Sequence, residues 1–77
     1  MVERAWSTYR GADVDLFFIK NGKRHGVEFK YSEAPKATKS MYVAIEDLSL
    51  DHLWVVYPGK NIYPLTKKIK VLPLQEL

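Results

Sequence analysis

Residues 13–31 read DVDLFFIKNGKRHGVEFKY, and how this stretch turns back on itself decides the fold. Asn21-Gly22 sits at its middle. Both central positions of a type I′ turn need positive φ, which asparagine and glycine adopt at least cost, so the pair marks a two-residue hairpin. The flanks, Asp13–Lys20 and Lys23–Tyr31, are rich in β-branched and aromatic residues and are expected as strands. With a two-residue loop Lys20 faces Lys23, and the pairing propagates to set Asp15 opposite Glu28 and Asp13 opposite Lys30. Side chains alternate along a strand, so these four project from one face. The other face collects Val14, Leu16, Phe18, Val27, Phe29 and Tyr31. That is the expected core surface, with His25 on it near the turn.

Working outward, Arg4–Arg10 favours a strand through Trp6, Thr8 and Tyr9 and stops at Gly11. Ser32–Ala37 is a connector containing Pro35. From Thr38 the apolar period changes, and Met41, Ala44, Ile45 and Leu48 fall on one helical face. Thr38 is the expected N-cap, and the helix should fade near Ser49. His52–Tyr57 is a continuous apolar run ended by Pro58-Gly59, the pattern of a strand buried on both faces, which places Trp54 in the core. Strand, helix, buried strand implies a right-handed crossover and parallel pairing. Short strands are expected around Ile62–Leu65 and Ile69–Leu72. The class is therefore α/β (α+β). A mixed β-sheet carries one main helix on it, in the order β-β-β-α-β plus short terminal strands.

At 77 residues the chain is one domain, 1–77. A chain this short buries only about 60% of the surface its unfolded form exposes, so modest stability is expected. With no cysteine, disulfides and cysteine-ligated zinc are excluded. Hydrophobic content of 47% with 27% charged residues is that of a globular protein rather than a disordered one. No apolar run approaches the ~20 residues of a membrane span, and Met1-Val2-Glu3-Arg4 is no signal peptide, so no membrane partner and a cytoplasmic setting are expected. The net charge of +3 gathers at Lys20/Lys23/Arg24, Lys36/Lys39 and Lys67/Lys68/Lys70. Such clusters suit a polyanion, and ordinary solvated charge accounts for them equally well.

The chemistry concentrates on the hairpin. Two carboxylates directly across a strand pair repel. A divalent cation would compensate, and Mg²⁺ takes carboxylate oxygens while keeping several waters. Lys30, two residues from Glu28, is placed to stabilise developing negative charge, so the parts suit phosphodiester hydrolysis. The alternative is a merely wet face with an Asp13–Lys30 ion pair, or a bulge at Gly26 that shifts the Asp15–Glu28 pairing by one residue. Spacing alone leaves both open. Lys36 and Lys39, flanking the helix start, are candidate nucleic-acid contacts. His52 has no second histidine at zinc spacing, and no serine has a nucleophile's setting.

Three segments, YRGADVD at 9–15, VEFKYS at 27–32 and WVVYPG at 54–59, followed by VLPL at 71–74, resemble the C-terminal domain of unknown function found in bacterial and archaeal AAA-type ATP-binding proteins. That domain is similar to the PD-(D/E)xK, or restriction-endonuclease-like, superfamily. The resemblance spans nearly the whole chain. It implies Asp15 and Glu28 as metal ligands, Lys30 as the catalytic lysine, Mg²⁺ as cofactor, and an ATPase domain of the same parent chain as partner. Asp13 stands where that family more often has Glu. The superfamily core begins with a helix that often supplies a further acid; no such helix is evident here, and Glu3 is the sole upstream acidic residue. Two functions are thus expected: a metal-dependent nuclease-like domain or its relic, or a non-catalytic nucleic-acid-binding or protein-interaction accessory domain of an ATPase.

Overall fold

A computed structural model describes the backbone of residues 2–6 and the whole of residues 14–77. Asp13, Tyr9 and the 7–10 half of the first expected strand lie outside the described residues, as do the side chains of Glu3 and Trp6. The elements are β1 (Val2–Trp6), β2 (Leu16–Lys20), β3 (Lys23–Phe29), α1 (Lys39–Leu48), β4 (His52–Tyr57), β5 (Tyr63–Pro64), β6 (Ile69–Pro73) and a terminal 3₁₀ turn, Leu74–Glu76. They form one mixed sheet in the order β1-β2-β3-β4-β6-β5. β1, β2 and β3 pair antiparallel, β3 with β4 and β4 with β6 are parallel, and β5 returns antiparallel to β6. No helix among the described residues is long and apolar enough to cross a membrane.

The hairpin forms in the expected register, from Leu16 opposite Val27 to Lys20 opposite Lys23. Asn21 and Gly22 take φ of 53° and 75°, the left-handed pair that the turn requires. The helix starts after Thr38, whose hydroxyl accepts from Met41 N–H, and stops where Ser49 turns left-handed at φ 52°. It covers one face of the sheet with Met41, Ala44 and Leu48, all buried. Arg24 ties its end to the hairpin, because Nε donates to Leu48 O at 2.7 Å while Asp51 Oδ2 accepts from Arg24 N–H at 2.8 Å.

Which face the helix covers corrects the sequence reading. Under it runs a row of register partners, Phe17, Gly26, Leu53 and Ile69, and beside that a second row, Glu28, Val55, Val71 and Tyr63. The core cluster contains Phe17, Leu53, Val55, Ile69 and Val71, with Ile19 packed against it. Leu16, Phe18, Val27 and Phe29 line the opposite, helix-free face, and Tyr31 is 89% exposed. His25 and Trp54 also lie on that helix-free face, each half-buried rather than in the core. Both faces of β2 are apolar, so its composition did not distinguish them.

Val14 reaches the core all the same, at 6% exposure. Strict alternation would put it opposite Phe17. The explanation is a bulge: Val27 O accepts from Asp15 N–H at 2.9 Å, although the register partner of Val27 is Leu16. Two residues therefore face one, the chain bends at Asp15, and Val14 turns under the helix. The extra residue is at Asp15, not at Gly26. Gly26 is small for another reason, since a Cβ there would stand 2.8 Å from Leu50 Cδ1 and 3.2 Å from Leu53 Cδ1.

Candidate functional site

The open end of the hairpin, away from the Asn21-Gly22 turn, carries Asp15, Glu28 and Lys30. Asp15 is exposed, and its Oδ2 accepts from the backbone N–H of Phe29 at 2.8 Å. Its carboxylate is thus seated on the residue between Glu28 and Lys30. The bulge makes this possible, because it carries Asp15 off the ladder that would have set it squarely against Glu28. Backbone alternation then leaves Glu28 on the helix-covered face, 3% exposed and next to Val55 in its row. Lys30 extends the parallel ladder by donating its N–H to Val56 O at 2.8 Å. Its Nζ reaches back to Glu28 Oε2 at 3.1 Å, with the lysine side chain 34% exposed.

Each carboxylate therefore has compensation from the chain itself. A backbone N–H serves Asp15, and an ammonium serves Glu28, a buried charge that would be costly alone. The donor set still matches the chemistry of Mg²⁺, which binds through one or two carboxylates and fills its remaining positions with water. Asp15 and Glu28 would be its holders. Among the described residues no group of three or more histidine, cysteine, aspartate or glutamate side chains comes together to enclose an ion. Lys36 and Lys39 are exposed, Lys39 opening α1 and Lys36 in the connector before it.

Beside this cluster, past the ends of β3 and β4, lies a cleft of about 200 Å³ walled by Phe29, Lys30, Tyr31, Val56, Pro58 and Leu74. Sequence reasoning passed over it because it forms where two strands distant in sequence, ending at Phe29 and Tyr57, stop together. The signal available was the pairing of two strand terminators, Tyr31-Ser32 and Pro58-Gly59, once parallel register is assumed.

A second cluster, on the helix-free face, follows from the same parallel register. His25 pairs with Phe18 on one side and with His52 on the other. The Phe18 and His25 rings stack at 4.8 Å and 3°, and the His25 and His52 rings at 5.1 Å and 26°. Trp54 Nε1–H donates to His25 Nδ1 at 3.1 Å. Burial holds the His25 imidazole below its ordinary range, helped by the nearby His52 and opposed by Asp51. The two histidines stand face to face rather than converging on a point, so the geometry is that of a stack and not of a chelate.

The model of a domain of unknown function, DUF4143, matches residues 4–77. Uncharacterized proteins of Mycobacterium bovis and Mycobacterium tuberculosis are each 33% identical over 72 residues, covering 94% of this chain and 16% of theirs. The chain thus spans about a sixth of the length of the curated relatives it matches. No solved structure matches it significantly.

Proposed function

The chain belongs to the DUF4143 family, and we propose that it is the metal-site part of a PD-(D/E)xK-type nuclease domain, acting on nucleic acid beside an ATPase domain of a longer protein. The observation that carries this reading is the seat of Asp15. Its carboxylate rests on the Phe29 N–H, between a glutamate and a lysine whose charged ends are 3.1 Å apart. Three residue types needed for phosphodiester hydrolysis thereby meet at the open end of the hairpin, Asp15 through the backbone of Phe29 and Glu28 with Lys30 on either side of it in sequence. The β-β-β-α-β order supports the restriction-endonuclease-like assignment, and DUF4143 commonly stands C-terminal to AAA-type ATPases.

In this reading Asp15 and Glu28 present oxygens to Mg²⁺. The bound ion supplies polarisation of the phosphate and a more acidic water. Lys30, its Nζ 3.1 Å from Glu28 Oε2, offers a cation to the phosphate oxygens. The exposed Lys36 and Lys39 offer charge to the flanking backbone.

The test is paramagnetic. Mn²⁺ titrated into the ¹⁵N-labelled chain should broaden the amides of residues 14–16 and 28–30 first, and Asp15→Asn should abolish that broadening. No selective broadening at millimolar metal would sink the proposal.

A second reading, a non-catalytic nucleic-acid-binding or protein-interaction accessory domain of an ATPase, is favoured by one observation. Lys30 already neutralises a Glu28 that is 3% exposed. It predicts salt-dependent DNA affinity that survives Asp15→Ala combined with Glu28→Ala and falls when lysines are removed.

A further inference from the structure

The cleft beside Lys30 does not follow from the acidic cluster and has a chemistry of its own. Its walls are Phe29, Tyr31, Val56, Tyr57, Pro58 and Leu74, with Lys30 the one charged residue lining it. Tyr31 stands at its rim with 89% of its surface exposed, and Leu74 is 55% exposed. An aromatic ring held that far into water, next to proline and leucine surfaces, offers a flat apolar face. At about 200 Å³ the cleft is smaller than the roughly 300–1,000 Å³ of sites for drug-sized ligands. It suits one ring system. Lys30 lines the cleft and carries its ammonium to Glu28 Oε2 at 3.1 Å, so the nearest charge favours rings that carry an anion, as does the net charge of +3.

We propose that this cleft is a nucleobase subsite, in which Tyr31 stacks on one base while the attached phosphate lies against Lys30. The inference deepens the nuclease reading and rests on it for the identity of the phosphate as part of a nucleic acid. Stacking is tolerant of sequence because every base has a π-face, so the subsite positions the strand and does not read it. It places the base at the ends of β3 and β4, with its phosphate beside Lys30. Tyr31 is here a positioning residue, acting on the strand rather than on the reacting atoms.

The experiment is a metal-free NMR titration of the full chain with adenosine 5′-monophosphate and, separately, with ribose 5-phosphate. The nucleotide should shift the amides of Tyr31, Val56 and Leu74 and bind about tenfold tighter than the sugar phosphate, the scale of one base–aromatic stack. Tyr31→Ala should remove that tenfold, and Tyr31→Phe should keep it within about twofold. Because the ring is exposed, both variants leave the core untouched. Equal affinity for the two probes, or an unchanged Tyr31→Ala, overturns the subsite. Mn²⁺ broadening measured on the same samples separates the two proposals. Nucleotide shifts without broadening at Asp15 and Glu28 support the subsite and overturn the metal site, and the reverse pattern overturns the subsite alone.

Discussion

Glu28 lies 3% exposed on the face that α1 covers, in one row with Val55 and Val71. A carboxylate opposite another carboxylate reads as a wet position, and the apolar residues of alternate parity then become the core by default. Phe17 and Ile19, whose register partners Gly26 and Arg24 share the face of Glu28, were the contrary signal, and they are the ones under the helix. The acid is buried with them because Lys30 comes with it. Breaking that pair from the lysine side takes a compensating ammonium away from a buried carboxylate. Loss of a partner in a buried pair costs about 3–5 kcal/mol, and the partial exposure of Lys30 lowers this to about 2 kcal/mol for Lys30→Met. Adding Glu28→Gln should recover part of the loss. Urea unfolding of the two single variants and the double one measures the coupling, and strict additivity would show that the 3.1 Å contact carries no energy.

His25 makes a pH prediction at the same scale. Its pKa is lowered in the folded state, first by burial and then by His52, with Lys20 adding to the effect and Asp51 opposing it. Its Nδ1 can accept from Trp54 only while unprotonated. The unfolded chain therefore binds more protons than the folded one as pH falls through the ordinary histidine value. By linkage, stability is full above that value and declines below it. The thermal midpoint should fall between pH 7.5 and 5.5, together with a change in Trp54 fluorescence. His25→Phe, which keeps a ring in the stack but cannot titrate, should flatten the slope.

Among the elements, those announced by local chemistry were legible almost to the residue. Asn21-Gly22 set the hairpin register, Thr38 and Ser49 bracketed the helix, and His52–Tyr57 formed as one parallel strand. What stayed hidden needed non-local information. The bulge at Asp15 has no glycine to mark it, and the stacking of Phe18, His25 and His52 exists only once β3 and β4 lie in register. The site was legible as a set of residues but not as a geometry, since the bulge decides where Asp15 points. The helix end also carries a testable strain. Ser49 sits at φ 52° and ψ 48°, a conformation that costs an L-residue with a Cβ about 1–2 kcal/mol. Its N–H already bonds back to the Ile45 and Glu46 carbonyls, so the cap persists without the side chain. Ser49→Gly should stabilise the chain by about 1 kcal/mol, less the entropy a glycine adds to the unfolded state, and Ser49→Val should destabilise it by a similar amount. Denaturation midpoints at unchanged m-value are the readout.

At the scale of the whole molecule, one helix covers one face of a six-stranded sheet, and the strands differ greatly in how firmly they are held. β4 has parallel partners on both sides, and its Leu53, Val55, Val56 and Tyr57 are buried. β3 is fixed between β2 and β4 and clamped to the helix end through Arg24. At the edges, among the described residues, β5 is two residues long and paired with β6, and β1 is paired with β2. Local opening free energies follow burial and pairing, so amide exchange should be graded outward from the centre. The slowest amides should be those of β4 and the adjoining β3 and β6, exchanging near the global rate. Amides of Tyr63 in β5 and of the β1 edge should exchange orders of magnitude faster. The site lies across this gradient: the Phe29 N–H that Asp15 accepts from belongs to a slow strand, whereas Asp15 itself lies outside the ladder at a bend. The Phe29 amide is therefore the discriminating probe. If it is protected as strongly as Val55, Asp15 is held on a rigid seat, as a metal ligand must be. If it exchanges with the fast class, the contact opens independently of the sheet, and the accessory-domain reading gains over the nuclease one.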